Sequence, residues 1–183
     1  MKFLIAPLLF LLPVLALAHE HTEHYDRVHL SASAQTQIEN DTVIAKLYSQ
    51  EEGSDPVQLA NLVNDRINQA IKLVKQHDAI KLQTSSYSTS PVYHNNKITG
   101  WRVRQSLRLE SQDMTLMSDV LGSLQQTLSL QGINFAVSPG LKNKTDDGLI
   151  SEALKVFEQR ANNITQQLRR KNYKIVDINV STS

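Results

Sequence analysis

From Arg27 onward apolar and polar residues alternate. Val28, Leu30, Ala32 and Ala34 fall on one side of the chain, which predicts a strand. Asn40-Asp41 predicts a turn, and Val43, Ala45 and Leu47 restart the two-residue period across Thr42 to Gln50. Gly53-Ser54-Asp55-Pro56 then breaks the pattern, and Pro56 is accepted in a first helical turn. Beyond it the apolar spacing changes to three and four. Ala60, Val63, Ile67, Ala70, Ile71 and Val74 predict a helix to about His77 with one buried face. Strand character returns at Ile80 to Thr84 and continues toward Tyr87. A connection from Pro91 to Asn96 leads into a strand from Lys97 to Glu110, where Trp101, Val103, Leu107 and Leu109 mix with Arg102, Arg104 and Arg108.

Asp113 suits the N-cap of a second helix, with Met117, Leu121, Leu124 and Leu128 as its core stripe. Gly132 to Val137 predicts a short strand, and Pro139-Gly140 a turn or bulge. A third helix is expected from Asp146-Asp147, acidic at its start as the macrodipole favours, with Leu149, Ala153, Phe157, Ala161, Ile164 and Leu168 facing inward. Arg169-Arg170-Lys171 closes it with the favourable sign, and Tyr173 to Ser181 alternates as a last strand. The order ββα-ββα-βαβ predicts an α+β domain: a largely antiparallel sheet with about three helices packed on one face. No linker divides residues 27–183, which read as one domain.

The first 18 residues change the picture. Lys2 is followed by an uncharged apolar run to Ala18, and Ala16-Leu17-Ala18 offers the small residues of a cleavage site. Pro7 and Pro13 interrupt the run, which falls short of the roughly 20 residues needed to span a bilayer. A cleavable signal peptide over residues 1–18, periplasmic export and no stable membrane insertion after cleavage are therefore expected. Residues 19–26 read as a flexible, His-rich tail. Losing Lys2 takes the 19 basic residues down by one, level with the 18 acidic ones. That balance argues against nucleic acid as a partner. The chain has no cysteine, so disulfides, a lipoprotein anchor, thiol nucleophiles and iron–sulfur clusters are excluded.

Thr84, Tyr87, Pro91, Tyr93 and the pair Gly100-Trp101 follow one family's pattern, in which a strand ending in Thr and an aromatic leads to Pro-x-Tyr and a Gly-aromatic pair. Together with Asp113 opening a helix, Gly132-Ile133-Asn134 after it and an alanine-spaced third helix, they make the chain resemble the SIMPL family of bacterial exported proteins over about residues 27–180. Trp101 stands where tyrosine is usual, and Asn40-Asp41 where the family usually has Pro-Asp. Phe157 and Thr165 replace small residues of the third helix, and the chain ends near Val180, earlier than many relatives. The resemblance implies a periplasmic or outer-surface protein, association with oxidative stress, and a homo-oligomer. It implies no catalytic residues.

The sharpest local chemistry is His19-Glu20-His21-Thr22-Glu23-His24. Cleavage after Ala18 would place His21 third from a free amine, so the amine, two backbone amides and an imidazole could hold Cu or Ni in a square plane. His19, His21 and His24 are thus candidate metal ligands, with zinc a further possibility. The plain alternative is a solvated tail. Hydrolysis finds no G-x-S-x-G, no H-E-x-x-H and no phosphate loop. Ser85 to Ser90 near His94 reads as loop or edge-strand composition rather than a Ser–His pair. His77 reads as charge complementation at a helix end. Tyr87, Tyr93 and Trp101, with Arg102 and Arg104, read as aromatic pairs pinning one hairpin, with a stacking surface as the functional alternative. Met114 and Met117 read as core. The expectation is a non-enzymatic, self-assembling exported protein without a cofactor; the alternative is periplasmic metal binding through the tail.

Overall fold

The computed structural model describes residues 26–182. The chain forms two compact units, residues 1–31 and 32–183. Of the first, residues 26–31 are described and contain no strand or helix. The alternation at Val28, Leu30, Ala32 and Ala34 therefore makes no strand. A period-two pattern becomes one only where a neighbour supplies a hydrogen-bonding ladder, and Val28 is left exposed.

The second unit runs β1 (Thr42–Gly53), α1 (Pro56–Val74), β2 (Lys81–His94), β3 (Lys97–Ser111), α2 (Met114–Leu124), β4 (Ser129–Ala136) and α3 (Pro139–Gln167). The strands form one antiparallel sheet in the order β2-β3-β1-β4. An α+β fold with an antiparallel sheet is therefore what folds. From β1 to β4 the topology is the split βαβ arrangement of ferredoxin-like domains.

Each element follows from local chemistry. Asp55 caps α1, accepting from the amides of Val57 and Gln58, and Pro56 occupies the first turn. β2 and β3 meet in a two-residue turn at Asn95-Asn96, both with positive φ (50° and 60°), the geometry whose twist matches a hairpin. The connection expected from Pro91 to Asn96 is thus shorter. Pro91 sits in β2, an edge strand, where a missing N–H is tolerated. At Gly100 the strands come close: a Cβ there would lie 3.0 Å from the Gly53 carbonyl oxygen, so a larger residue would have to push that backbone aside.

The core lies between the sheet and two helices. Val43, Ala45 and Leu47 of β1 and Val103, Leu107 and Leu109 of β3 face Leu59, Val63, Ile67, Ala70 and Val74 of α1, and Met117, Val120, Leu121 and Leu124 of α2. The other sheet face carries Lys46, Tyr48, Arg102, Arg104 and Arg108, because alternate residues point to opposite sides.

Three expectations are corrected. α3 begins at Pro139 rather than Asp146, because Ser138-Pro139 is an N-cap followed by a first-turn proline. Asp146 lies inside the helix, paired with Lys142 at 3.2 Å. None of the α3 residues joins the core cluster, so two helices rather than three pack there; only Ala161 of α3 is buried. Tyr173 to Ser181 alternates as a strand does but pairs with none. α3 ends with Arg169 in the left-handed region (φ 56°), which turns the chain out of the helix before that segment.

Leu107→Ala should cost about 2–5 kcal/mol in urea unfolding, the range for truncating a fully buried leucine, and Ile164→Ala on α3 less than about 1 kcal/mol. Equal losses would mean that α3 belongs to the core.

Candidate functional site at the Asp41 end of the sheet

At the start of β1 one carboxylate meets its neighbour Thr42 and two segments distant in sequence. Asp41 Oδ1 accepts from the Ser138 amide at 2.6 Å and the Thr42 hydroxyl at 3.1 Å. Oδ2 accepts from the Ser138 hydroxyl at 2.6 Å and from Gln112 Nε2 at 2.9 Å. Gln112 follows β3, and Ser138 is the N-cap of α3, its hydroxyl also accepting from the Leu141 amide at 3.2 Å. A carboxylate at a helix N-terminus is favoured by unpaired N–H groups and by the macrodipole. These contacts hold the Asp41 carboxyl below its ordinary pKa of 3.8. The Ser138 hydroxyl is the main cause, the Ser138 amide and Thr42 hydroxyl add to it, and partial burial opposes them.

A cavity of about 880 Å³ opens beside this joint, lined by Thr42, Lys81, Glu110, Ser111, Gln112, Asp113, Met114 and Ser138 among others. Its charges are already matched. Glu110 pairs with Arg108 at 2.6 Å and Lys81 at 3.9 Å, and Asp113 caps α2 through the Leu116 amide at 2.9 Å. Ser111 donates to the Ala79 carbonyl at 2.8 Å and accepts from the Asp113 amide at 3.0 Å. With four hydrogen bonds on its two oxygens, Asp41 has little accepting capacity left for a metal or a substrate proton. Its chemistry is that of a joint.

The residues singled out from the sequence are scattered. His19, His21 and His24 lie outside the described residues. Among the described residues no group of three or more His, Asp or Glu side chains is placed to hold a metal, and no helix is long and apolar enough to cross a membrane. His94 ends β2 opposite Lys97, exposed, with no hydrogen bond to the exposed serines of Ser85 to Ser90. His77 lies three residues beyond α1, its amide bonded to the Val74 carbonyl at 3.0 Å.

The aromatics of the β2–β3 hairpin separate from the arginines, with Tyr93 opposite Ile98. Trp101 packs on the core opposite Pro91, and Tyr87 shares that sheet face opposite Gln105, whereas Arg102 and Arg104 point to the other face. Arg104 instead lies 3.6 Å over the ring of Tyr48, a partner the sequence did not single out. The methionines also divide: Met117 is core, while Met114 is 41% exposed and lines the cavity. Asp41 and Ser138 were missed as site residues. The available signal was Ser138-Pro139 itself, a helix-start signature read as a turn.

The fold defines the chain as a split-βαβ α+β domain whose last helix is capped through an aspartate at the head of the first strand. It belongs to the SIMPL family, described as a protein of unknown function (DUF541), whose model matches residues 28–183. No curated protein matches the chain. Among solved structures it is similar to a de novo designed protein, Foldit4, at 10% identity and TM-score 0.30, covering 53% of this chain and 98% of that one. It is also similar to an amidase of the hydantoinase/carbamoylase family from Burkholderia vietnamiensis (7% identity, TM-score 0.31, 51% of this chain and 26% of that one). A tripeptidase from Staphylococcus aureus matches at 12% identity and TM-score 0.30, over 51% of this chain and 28% of that one. The chain spans about a quarter of each of these enzymes, and overlaps this partial place no activity on it.

Because the folded Asp41 carboxyl titrates below its ordinary value, its ionised form stabilises the fold above that value. The stabilisation is lost as pH falls through the folded pKa. Chemical denaturation should therefore show Asp41→Asn well below the wild type at about pH 7 and the gap closing below about pH 4. A gap independent of pH would contradict the hydrogen-bonded, ionised joint.

Proposed function

We propose that this SIMPL-family chain is an exported, non-enzymatic protein of the periplasm that self-associates and supports cell-envelope or oxidative-stress homeostasis. The observation that carries the reading is apolar surface left outside the core. Tyr173, Ile175, Val176, Ile178 and Val180 are each at least 40% exposed, close together in the sequence and unpaired. Leu149, Ala153, Val156, Phe157 and Ile164 of α3 are only half-buried. Apolar side chains left outside the core in this number suit an interaction surface. The leader over residues 1–18 supports export, and the commitment of Asp41 to holding backbone and hydroxyl groups suits a scaffold. The stress association rests on the family resemblance.

A second reading, metal binding by His19, His21 and His24, is favoured by the spacing of those histidines behind Ala18. Mass spectrometry of the N-terminus from the native host, with light scattering on the purified protein, should find cleavage after Ala18 and a mass of more than one chain. A strict monomer at high concentration would overturn self-association. Copper titration of the same material with and without residues 19–24 tests the second reading, which equal affinities would overturn.

A further inference from the structure

We propose that Tyr173 to Ser181 of one copy adds as a fifth strand to the open edge of β4 in a second copy. The inference rests on the proposed self-association and names its contact. Both halves of the contact are present in one chain. The segment has a strand's alternation, with Val176, Ile178 and Val180 on one side and Ile175, Asp177 and Asn179 on the other, and makes no backbone hydrogen bond to another described residue. β4 pairs with β1 along one edge and leaves its other row of N–H and C=O groups open, which is a template for another strand.

The two edges of the sheet are not equivalent. A register shift interrupts both edge strands, β2 between Thr84 and Ser86 and β4 at Gln131, but β2 is also rich in exposed serines and contains Pro91, which discourage pairing. β4 is short and apolar at its rim. Ile133 and Phe135, opposite Ala45 and Val43, lie on the helix-covered face yet are 44% and 56% exposed. An added strand that places Val176, Ile178 and Val180 on that face extends the core sideways over both.

The same register puts Asp177 and Asn179 on the basic face. There Lys46 has no salt bridge among the described residues, and its partner on β4 is Gly132, where an added Cβ would meet nothing within 4 Å. Gly132 thus leaves a gap in the outer row of β4, across which the Lys46 ammonium can reach Asp177. The donor is a second copy because within one chain the segment makes no ladder with β4, and the 29-residue α3 between them, on the order of 40 Å long, does not join the core cluster.

The absence of cysteine gives a clean test on the full chain. Asn134→Cys in one preparation is mixed with Asp177→Cys or Asn179→Cys in another and oxidised. A disulfide dimer should form at least tenfold above the yield from the same tail variants mixed with Ser88→Cys on β2. Ile178→Pro in the tail partner should abolish it and shift the light-scattering mass of the otherwise unchanged protein to one chain, with the urea midpoint unmoved at a dilution where the wild type is also one chain. No cross-link above the β2 control, or closure of an internal disulfide in dilute Asn134→Cys/Asp177→Cys chains, overturns the proposal. Assembly that persists unchanged in Ile178→Pro overturns strand addition and leaves self-association standing; a wild-type monomer at every concentration overturns both.

Discussion

The carboxylate of Asp41 is bonded at once to the first residue of β1, to the chain leaving β3 and to the cap of α3. It ties two segments distant in sequence to the head of the first strand. Its position explains why the contacts concentrate there. The start of a helix has amides with no intrahelical partner, and a strand entering a sheet needs its register anchored. A short acidic side chain at the head of β1 meets both needs, holding the cap of α3 to the start of the strand.

What lies downstream of that joint differs from what lies upstream. α1 and α2 bury their apolar stripes against alternate residues of β1 and β3, closing a core with no disulfide to help it. α3 and the residues after it keep the apolar periodicity of packed elements but find no seat in that core. A sheet with two open edges and a strand-patterned segment without a ladder are complementary deficits. Under the proposed strand addition, the segment of one copy would fill the β4 edge of another and leave β2 as the free edge.

Much of the fold was legible from spacing. The three-and-four period from Ala60 to Val74, the Asp113 cap and the alternation around Leu107 and Leu109 describe elements whose neighbours lie in the core, so local pattern and tertiary environment agree. Reading failed where pattern and environment part. Val28 to Ala34 and Tyr173 to Ser181 alternate without a partner strand, and periodicity cannot tell an unpaired segment from a paired one. The grouping of aromatics with arginines failed for a different reason. Trp101 and Arg102 are adjacent in sequence, which puts them on opposite faces of a sheet. Asp41 was legible only as a turn residue, since contacts spanning 97 positions leave no local trace. The SIMPL resemblance did mark Gly100, and its physical reason is the Gly53 carbonyl pressed against it.

The joint between Asp41 and Ser138 can be measured directly by a double-mutant cycle, comparing unfolding of the wild type, Asp41→Asn, Ser138→Ala and the double variant at neutral pH. If the carboxylate holds the cap of α3, each single change is destabilising and the double variant loses far less than the two losses added, because the second change removes an interaction already gone. Strictly additive losses would show the two residues acting independently and would contradict the account.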